Sequence, residues 1–142
     1  MHRKCIWWRA VKRPRKRGFV TDNNYILDAD NNPVLEPDVV KWAKWYEIAN
    51  RHVGNTVIGG IKISTVFLGL DHNFGGSGPP VLWESMIFGG ENDDYQERYT
   101  SYKRAVNGHK LAVDMVKKEL FEKISIASKI RLQIIWALKL FG

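Results

Sequence analysis

The sequence predicts a small α+β domain, in which an antiparallel sheet centred on one β-hairpin, residues 61–90, is covered by two or three helices. Three observations carry this prediction. Two apolar runs, Thr65–Leu70 and Val81–Phe88, flank a connection rich in glycine and proline, the pattern of a hairpin with a long loop. Residues 37–50 and 102–120 repeat apolar side chains at helical spacing. The chain has 142 residues, 44% hydrophobic and 26% charged, which suits one domain with one core.

The chain opens on a basic arm. Residues 1–17 hold eight Lys/Arg and no acid, interrupted by Trp7 and Trp8. Such an arm suits nucleic acid, with Arg13, Arg15, Lys16 and Arg17 on phosphates and the rings on bases. A solvated tail has the same composition. Residues 18–121 form the expected α+β domain. Tyr25–Pro33 reads as a short strand and a turn. Asp28, Asp30, Asn31 and Asn32 have calcium-loop composition, but the sixth-position glycine and twelfth-position glutamate are missing, so an Asx-rich turn is expected.

Residues 37–50 follow as a helix. Pro37 suits its first turn, and Asp38 suits its positive end. Trp42, Trp45, Tyr46 and Ala49 share one face, expected to pack on the sheet, and Gly54 is a plausible stop. Thr56–Ile58, Gly59-Gly60 and Ile61 form a small hairpin into the central strand. After Thr65 both strand faces are apolar: Phe67 joins Ile61 and Ile63, while Val66, Leu68 and Leu70 share the other side. The partner strand sets Val81, Trp83 and Ile87 against Leu82, Met86 and Phe88. A doubly buried strand does this, as does a bulge near Ser64. Helices of a small domain cover one face well, so the second calls for the terminal helix or another subunit, and a homo-oligomer is expected.

Glu91–Glu97 reads as an acidic loop. Thr100 or Ser101 caps a helix from about Tyr102, and Gly108 inside it is expected to admit another backbone. Residues 122–142 are expected to be an apolar C-terminal helix whose charges after Glu122 are all basic. Ile124, Ala127, Ile130, Ile134, Leu138 and Phe141 form one stripe, with Leu132, Trp136 and Leu140 on the other side. Such a helix suits a membrane surface through residues 122–141, a partner helix, or closure of the domain. Lys129, Arg131 and Lys139 leave it short of the roughly 20 clean residues of a span.

The net charge of +7 sits at the ends: residues 123–142 hold four Lys/Arg and no acid, whereas residues 18–122 hold ten against fifteen acids. A nucleic-acid function must therefore rest on the termini. The single cysteine, Cys5, excludes an internal disulfide framework and a cysteine-rich zinc site, and makes an intracellular setting the default.

The wording STVFLGLDHNFG, then GPPVLWESMIFGG, then ERYTSYKRAVNGH resembles a family of small, uncharacterised proteins encoded by tailed bacteriophages and prophages. In that pattern a strand ends in a Leu-Asp-His-Asn-Phe turn, Pro-Pro opens a strand carrying Glu and Met, and an Arg-Tyr pair precedes a Gly-His helix. The resemblance covers roughly residues 25–115. It implies an accessory protein acting in the cytoplasm of an infected bacterium, in host takeover or counter-defence, and brings no assigned reaction. The arm 1–17 and the tail 116–142 lie outside it.

Asp71, His72, Asn73, Glu84 and His109 supply residue types that bind metals or move protons. A register with Leu70 opposite Pro80 sets Glu84 opposite Val66 and His72 opposite Gly78, roughly 20 Å away, so those two cannot share an ion. His72 with His109 remains a pair for a metal-dependent or histidine-based hydrolase. Glu84, between Leu82 and Met86, calls for Arg98 or Lys62 as partner. The loop HNFGGSGPP leads into a strand, so it is neither a Rossmann nor a P-loop phosphate cradle. With no catalytic motif, no cofactor and no metal expected, the leading function is binding of a host protein or small ligand without turnover. The expected ligand-facing residues are Asp71, His72, Asn73 and Phe74, with Trp42 and Trp45.

Overall fold

The computed structural model describes residues 23–74 and 77–140. The elements run β1 (Tyr25–Leu27), β2 (Pro33–Leu35), α1 (Val39–Ile48), β3 (His52–Ile58), β4 (Ile61–Phe67), β5 (Trp83–Phe88), β6 (Gln96–Tyr99) and α2 (Tyr102–Leu140). Strands β3 to β6 form a four-stranded antiparallel meander, and β1 and β2 pair separately. This is the α+β class that the hairpin and helical periods predict.

The central pairing follows the expected register, with Val66 opposite Glu84 and Phe67 opposite Trp83. Strand alternation then decides the faces. Ile61, Ile63, Thr65 and Phe67 are buried beneath α2, which contributes Ala105, Ala112 and Val116. Two clusters result. One joins Ile61, Ile63 and Ile87 to Ala112 and Val116, and the other joins Phe67, Leu82 and Trp83 to Ala105. Burying each large side chain contributes about 2 kcal/mol. The other face is only partly apolar: Val66 and Met86 are half-buried, and Val57, Lys62 and Phe88 are exposed among the described residues.

Five expectations are corrected. First, α1 does not cover the sheet. It packs beside β1, has no fully buried residue, and reaches the core only through Trp45. Asp38 is its N-cap, its carboxylate accepting from the amides of Val40 and Lys41, so Pro37 precedes the cap. Second, Gly54 stops no helix. It lies in β3, where the register shifts after His52, so the irregularity is there and not at Ser64, which pairs regularly with Met86. Third, the acidic stretch turns at Glu91–Asp94 and then enters β6. Gln96-Glu97-Arg98-Tyr99 lacks an apolar alternation because it is a short, charged edge strand. Fourth, Gly108 admits no backbone: a Cβ there would overlap the Tyr99 hydroxyl and ring.

Fifth, the tail does not fold over to close the domain. α2 runs unbroken for 39 residues, about 58 Å at 1.5 Å per residue. Glu119 marks where it leaves the body. Its carboxylate accepts from the Glu91 amide (3.0 Å), the Asn92 side chain (2.9 Å) and Lys123 (2.7 Å), which ties the β5–β6 turn to the helix. The Lys123 ammonium and these amides hold the Glu119 carboxyl below its ordinary pKa. Beyond it, Phe121, Ile124, Ile126, Ile130, Leu132, Ile134, Ile135, Trp136 and Leu138 are exposed. No helix of the described residues is long and apolar enough to cross a membrane.

Candidate functional site

The hairpin loop and the aromatic edge of α1 meet where β4 ends. Trp42 donates its indole N–H to the Gly69 carbonyl at 2.9 Å. Gly69 has φ of 74°, and a Cβ there would lie 2.8 Å from the Tyr46 ring, so both backbone freedom and absence of a side chain are needed. The Arg51 guanidinium sits 3.8 Å from the Tyr46 ring centroid and donates to the Phe67 carbonyl at 3.0 Å. The strand exit is thus fixed against α1. Trp45 points the other way, edge-on to Phe67 at 6.0 Å, and belongs to the core.

The loop then braces itself. The Asp71 carboxylate accepts from the amides of Asn73 (2.8 Å) and Val81 (2.9 Å), linking the two strand ends. The Asn73 side chain donates to the carbonyls of Ser77 (2.9 Å) and Pro79 (3.2 Å). His72 donates its backbone amide to Val81 and its Nδ1–H to the Leu70 carbonyl at 2.9 Å. A carbonyl only accepts, so Nδ1 carries a proton and Nε2 is the ring nitrogen this contact leaves unused. The His72 and Phe74 rings pack edge to face at 5.7 Å, and Phe74 is 85% exposed. Asp71 and Asn73 therefore shape the loop from within, while His72 and Phe74 form its presented surface.

His109 lies elsewhere, between α2 and the sheet. Its Nε2 is 2.9 Å from the Thr56 hydroxyl and its Nδ1 is 2.9 Å from that of Thr65, which in turn lies 2.6 Å from Ser85. Gly54 leaves room for the ring: a Cβ would come within 2.6 Å of it. Burial holds the His109 pKa below its ordinary value, so the imidazole is neutral at neutral pH. Thr65 and Ser85 are fully buried, which leaves a substrate no path to those hydroxyls. The chain Thr56–His109–Thr65–Ser85 satisfies buried polar groups between the two apolar clusters.

Glu84 is on the opposite sheet face, where it accepts from Arg98 (2.7 Å) and Gln96 (2.6 Å). That is the ion pair the sequence calls for, made with Arg98; Lys62 instead lies 5.8 Å from the Phe88 ring centroid. Asp71 with His72, His109 and Glu84 thus occupy three separate places. Among the described residues no three of His, Cys, Asp and Glu gather as a metal-ligand set. Arg13, Arg15, Lys16 and Arg17 lie outside the described residues.

One feature escaped the sequence reading, a cleft of about 470 Å³ between β6 and α2, lined by Tyr95, Tyr99, Arg104, Asn107, Gly108 and Leu111 among others. Its signal was Gly108, a glycine in the middle of a helical pattern, which here makes space for a tyrosine. Burial, then the neighbouring Tyr99, pushes the Tyr95 hydroxyl pKa up. No family model, curated protein or solved structure matches this chain.

Proposed function

We propose that this chain is an accessory binding protein of a tailed bacteriophage or prophage, which engages a host protein without turnover in the cytoplasm of the infected cell. The observation that carries the binding function is the braced loop presenting His72 and Phe74. A large aromatic that is 85% exposed gains contact area on association. A loop held by the hydrogen bonds of Asp71 and Asn73 loses little freedom when it docks. The presented tip projects, whereas small-ligand sites are concave, so a macromolecular partner suits it better. The phage origin rests on the sequence pattern of residues 25–115.

The test is affinity capture from infected cells with tagged chains: wild type, Phe74→Ala, and a variant with Asn73–Gly78 replaced by an Asn-Gly turn. Both variants are expected to keep the wild-type circular dichroism and to weaken capture of the partner about tenfold or more, as loss of an interface anchor does. A partner retained at wild-type level by both would place the site elsewhere, with the Trp42–Tyr46 edge next in line. A turnover that disappears in His72→Ala would replace binding by the hydrolase reading.

A further inference from the structure

We infer that α2 beyond the sheet is a dimerisation helix, in which two copies of this chain pair antiparallel about a two-fold axis at the level of Leu132. The sheet-facing side of α2 is marked by the buried Ala105, Ala112, Val116 and Glu119. Continued at 3.6 residues per turn, that side carries Lys123, Ile126, Ala127, Ile130, Ile134, Ala137 and Leu138. Lys123 is held by Glu119 and Glu91, at 2.7 and 3.4 Å. After it every residue on this side is apolar. Ile126, Ile130, Ile134 and Leu138 are 57%, 50%, 55% and 70% exposed. The face that forms the domain's main internal interface therefore continues past the sheet with nothing on it among the described residues.

The order of side chains identifies the occupant. Ala127, Ile130, Ile134 and Ala137 have the alternating three-and-four spacing of a coiled-coil seam. Around Leu132 they read the same in both directions. In an antiparallel pair Ala127 faces Ala137, Ile130 faces Ile134 and Ile126 faces Leu138, and each contact occurs twice. That is the self-complementarity a two-fold interface requires. The charges fit as well. Lys129 falls opposite Ile135, Arg131 opposite Gln133 and Lys139 opposite Ser125, so no two cations meet. A parallel pair would set every cation against its own copy.

Other surfaces fit less well. Nucleic acid would answer the basic charge and leave the isoleucines in water. A flat bilayer approaching this side would run into the sheet, which lies on the same side of α2. Leu132 and Trp136 point away from the seam and are not used by it. Leu120, the last α2 side chain packed on the core, precedes the paired stretch, so the partner helix lies beside the sheet and not on it.

The experiment uses the full chain in two ways. Sedimentation should give a dimer for the wild type and a monomer for Ile130→Lys and for Ile134→Lys, all with the same near-ultraviolet circular dichroism. In a Cys5→Ser background, chains carrying Ala127→Cys are mixed with chains carrying Ala137→Cys and oxidised. The mixed disulfide should predominate over either homodisulfide, a result that does not depend on how the lysine variants fold. A wild-type chain that stays monomeric at high concentration would overturn the dimer, and if it then bound phosphatidylglycerol vesicles the helix would be a membrane element. Homodisulfides in excess would overturn the antiparallel arrangement.

Discussion

Between Tyr102 and Leu120, α2 lies on a sheet; between Phe121 and Leu140 the same helix, with its apolar residues at the same spacing, has no sheet beneath it among the described residues. In the first half Ala105, Ala112 and Val116 have their surroundings supplied by β4 and β5. In the second half Ile126, Ile130 and Ile134 stand in the same phase and are half-exposed or more. Helical period therefore reports that a face exists and leaves open what covers it. The difference also divides one element in two, since the first half belongs to the folded body and the second presents an exposed apolar face.

Matched truncations sharpen that contrast most. Ile63 is fully buried under the first half of α2, and Ile63→Ala is expected to cost about 3 kcal/mol by the loss of contacts and the cavity left behind. Ile134→Ala should stay within about 0.5 kcal/mol when urea unfolding is followed in dilute, monomeric protein. Similar losses at the two sites would mean that the exposed half is part of the folded core after all.

The next effect belongs to the packed half alone. Gly108→Ala improves helix propensity by about 1 kcal/mol, yet its new Cβ meets the Tyr99 hydroxyl and ring. The overlap should win, with a net loss of about 2 kcal/mol in thermal or urea unfolding. Ser128→Ala, in the exposed half, should show only the gain. A stabilised Gly108→Ala variant would show that Tyr99 moves aside freely.

Smaller again is the pair on the open sheet face. Arg98 is 39% exposed and Glu84 is 11% exposed at the side chain, so solvent screens the attraction. Arg98→Ala should cost about 1 kcal/mol, mostly from leaving Glu84 with Gln96 alone. The same substitution should not change the assembly state, which tests that this face and the α2 extension act separately.

The pH profile gives the finest distinction. Burial lowers the His109 pKa in the folded chain. The unfolded chain therefore takes up this proton first as pH falls. His109's contribution is fully present above the ordinary histidine value of about 6.5 and is lost progressively below it. His109→Gln should flatten the slope of stability against pH in that window and leave sedimentation unchanged. An unaltered slope would mean that the folded chain takes up this proton as readily as the unfolded chain does.

Much of this arrangement was legible in the residues, and the limits were physical. Placing Leu70 opposite Pro80 gives the observed register, although both faces are apolar after Thr65; the buried Ile61, Ile63 and Phe67 hold it, since a slip of one residue would turn them to solvent. Glu84 announced a partner by its apolar flanks, and Arg98 lies on the neighbouring strand. β6 was hidden because an edge strand tolerates Gln96, Glu97 and Arg98, whose pattern resembles a loop. The loop's composition marked it as a presented edge, but it did not separate the bracing Asp71 and Asn73 from the outward Phe74, because that division depends on which amides fold back within reach. His109 was grouped with His72 by residue type; the fold assigns it to two threonines that no sequence spacing connects to it.

Amide hydrogen exchange along α2, read at low and at high protein concentration, tests the division of the helix most directly. At low concentration the amides of residues 105–116 should be protected to the level of global unfolding, and those of residues 124–138 should exchange faster. At high concentration the second group should gain protection while the first stays constant, because only the second is covered by association. Equal, concentration-independent protection in both halves would contradict the account.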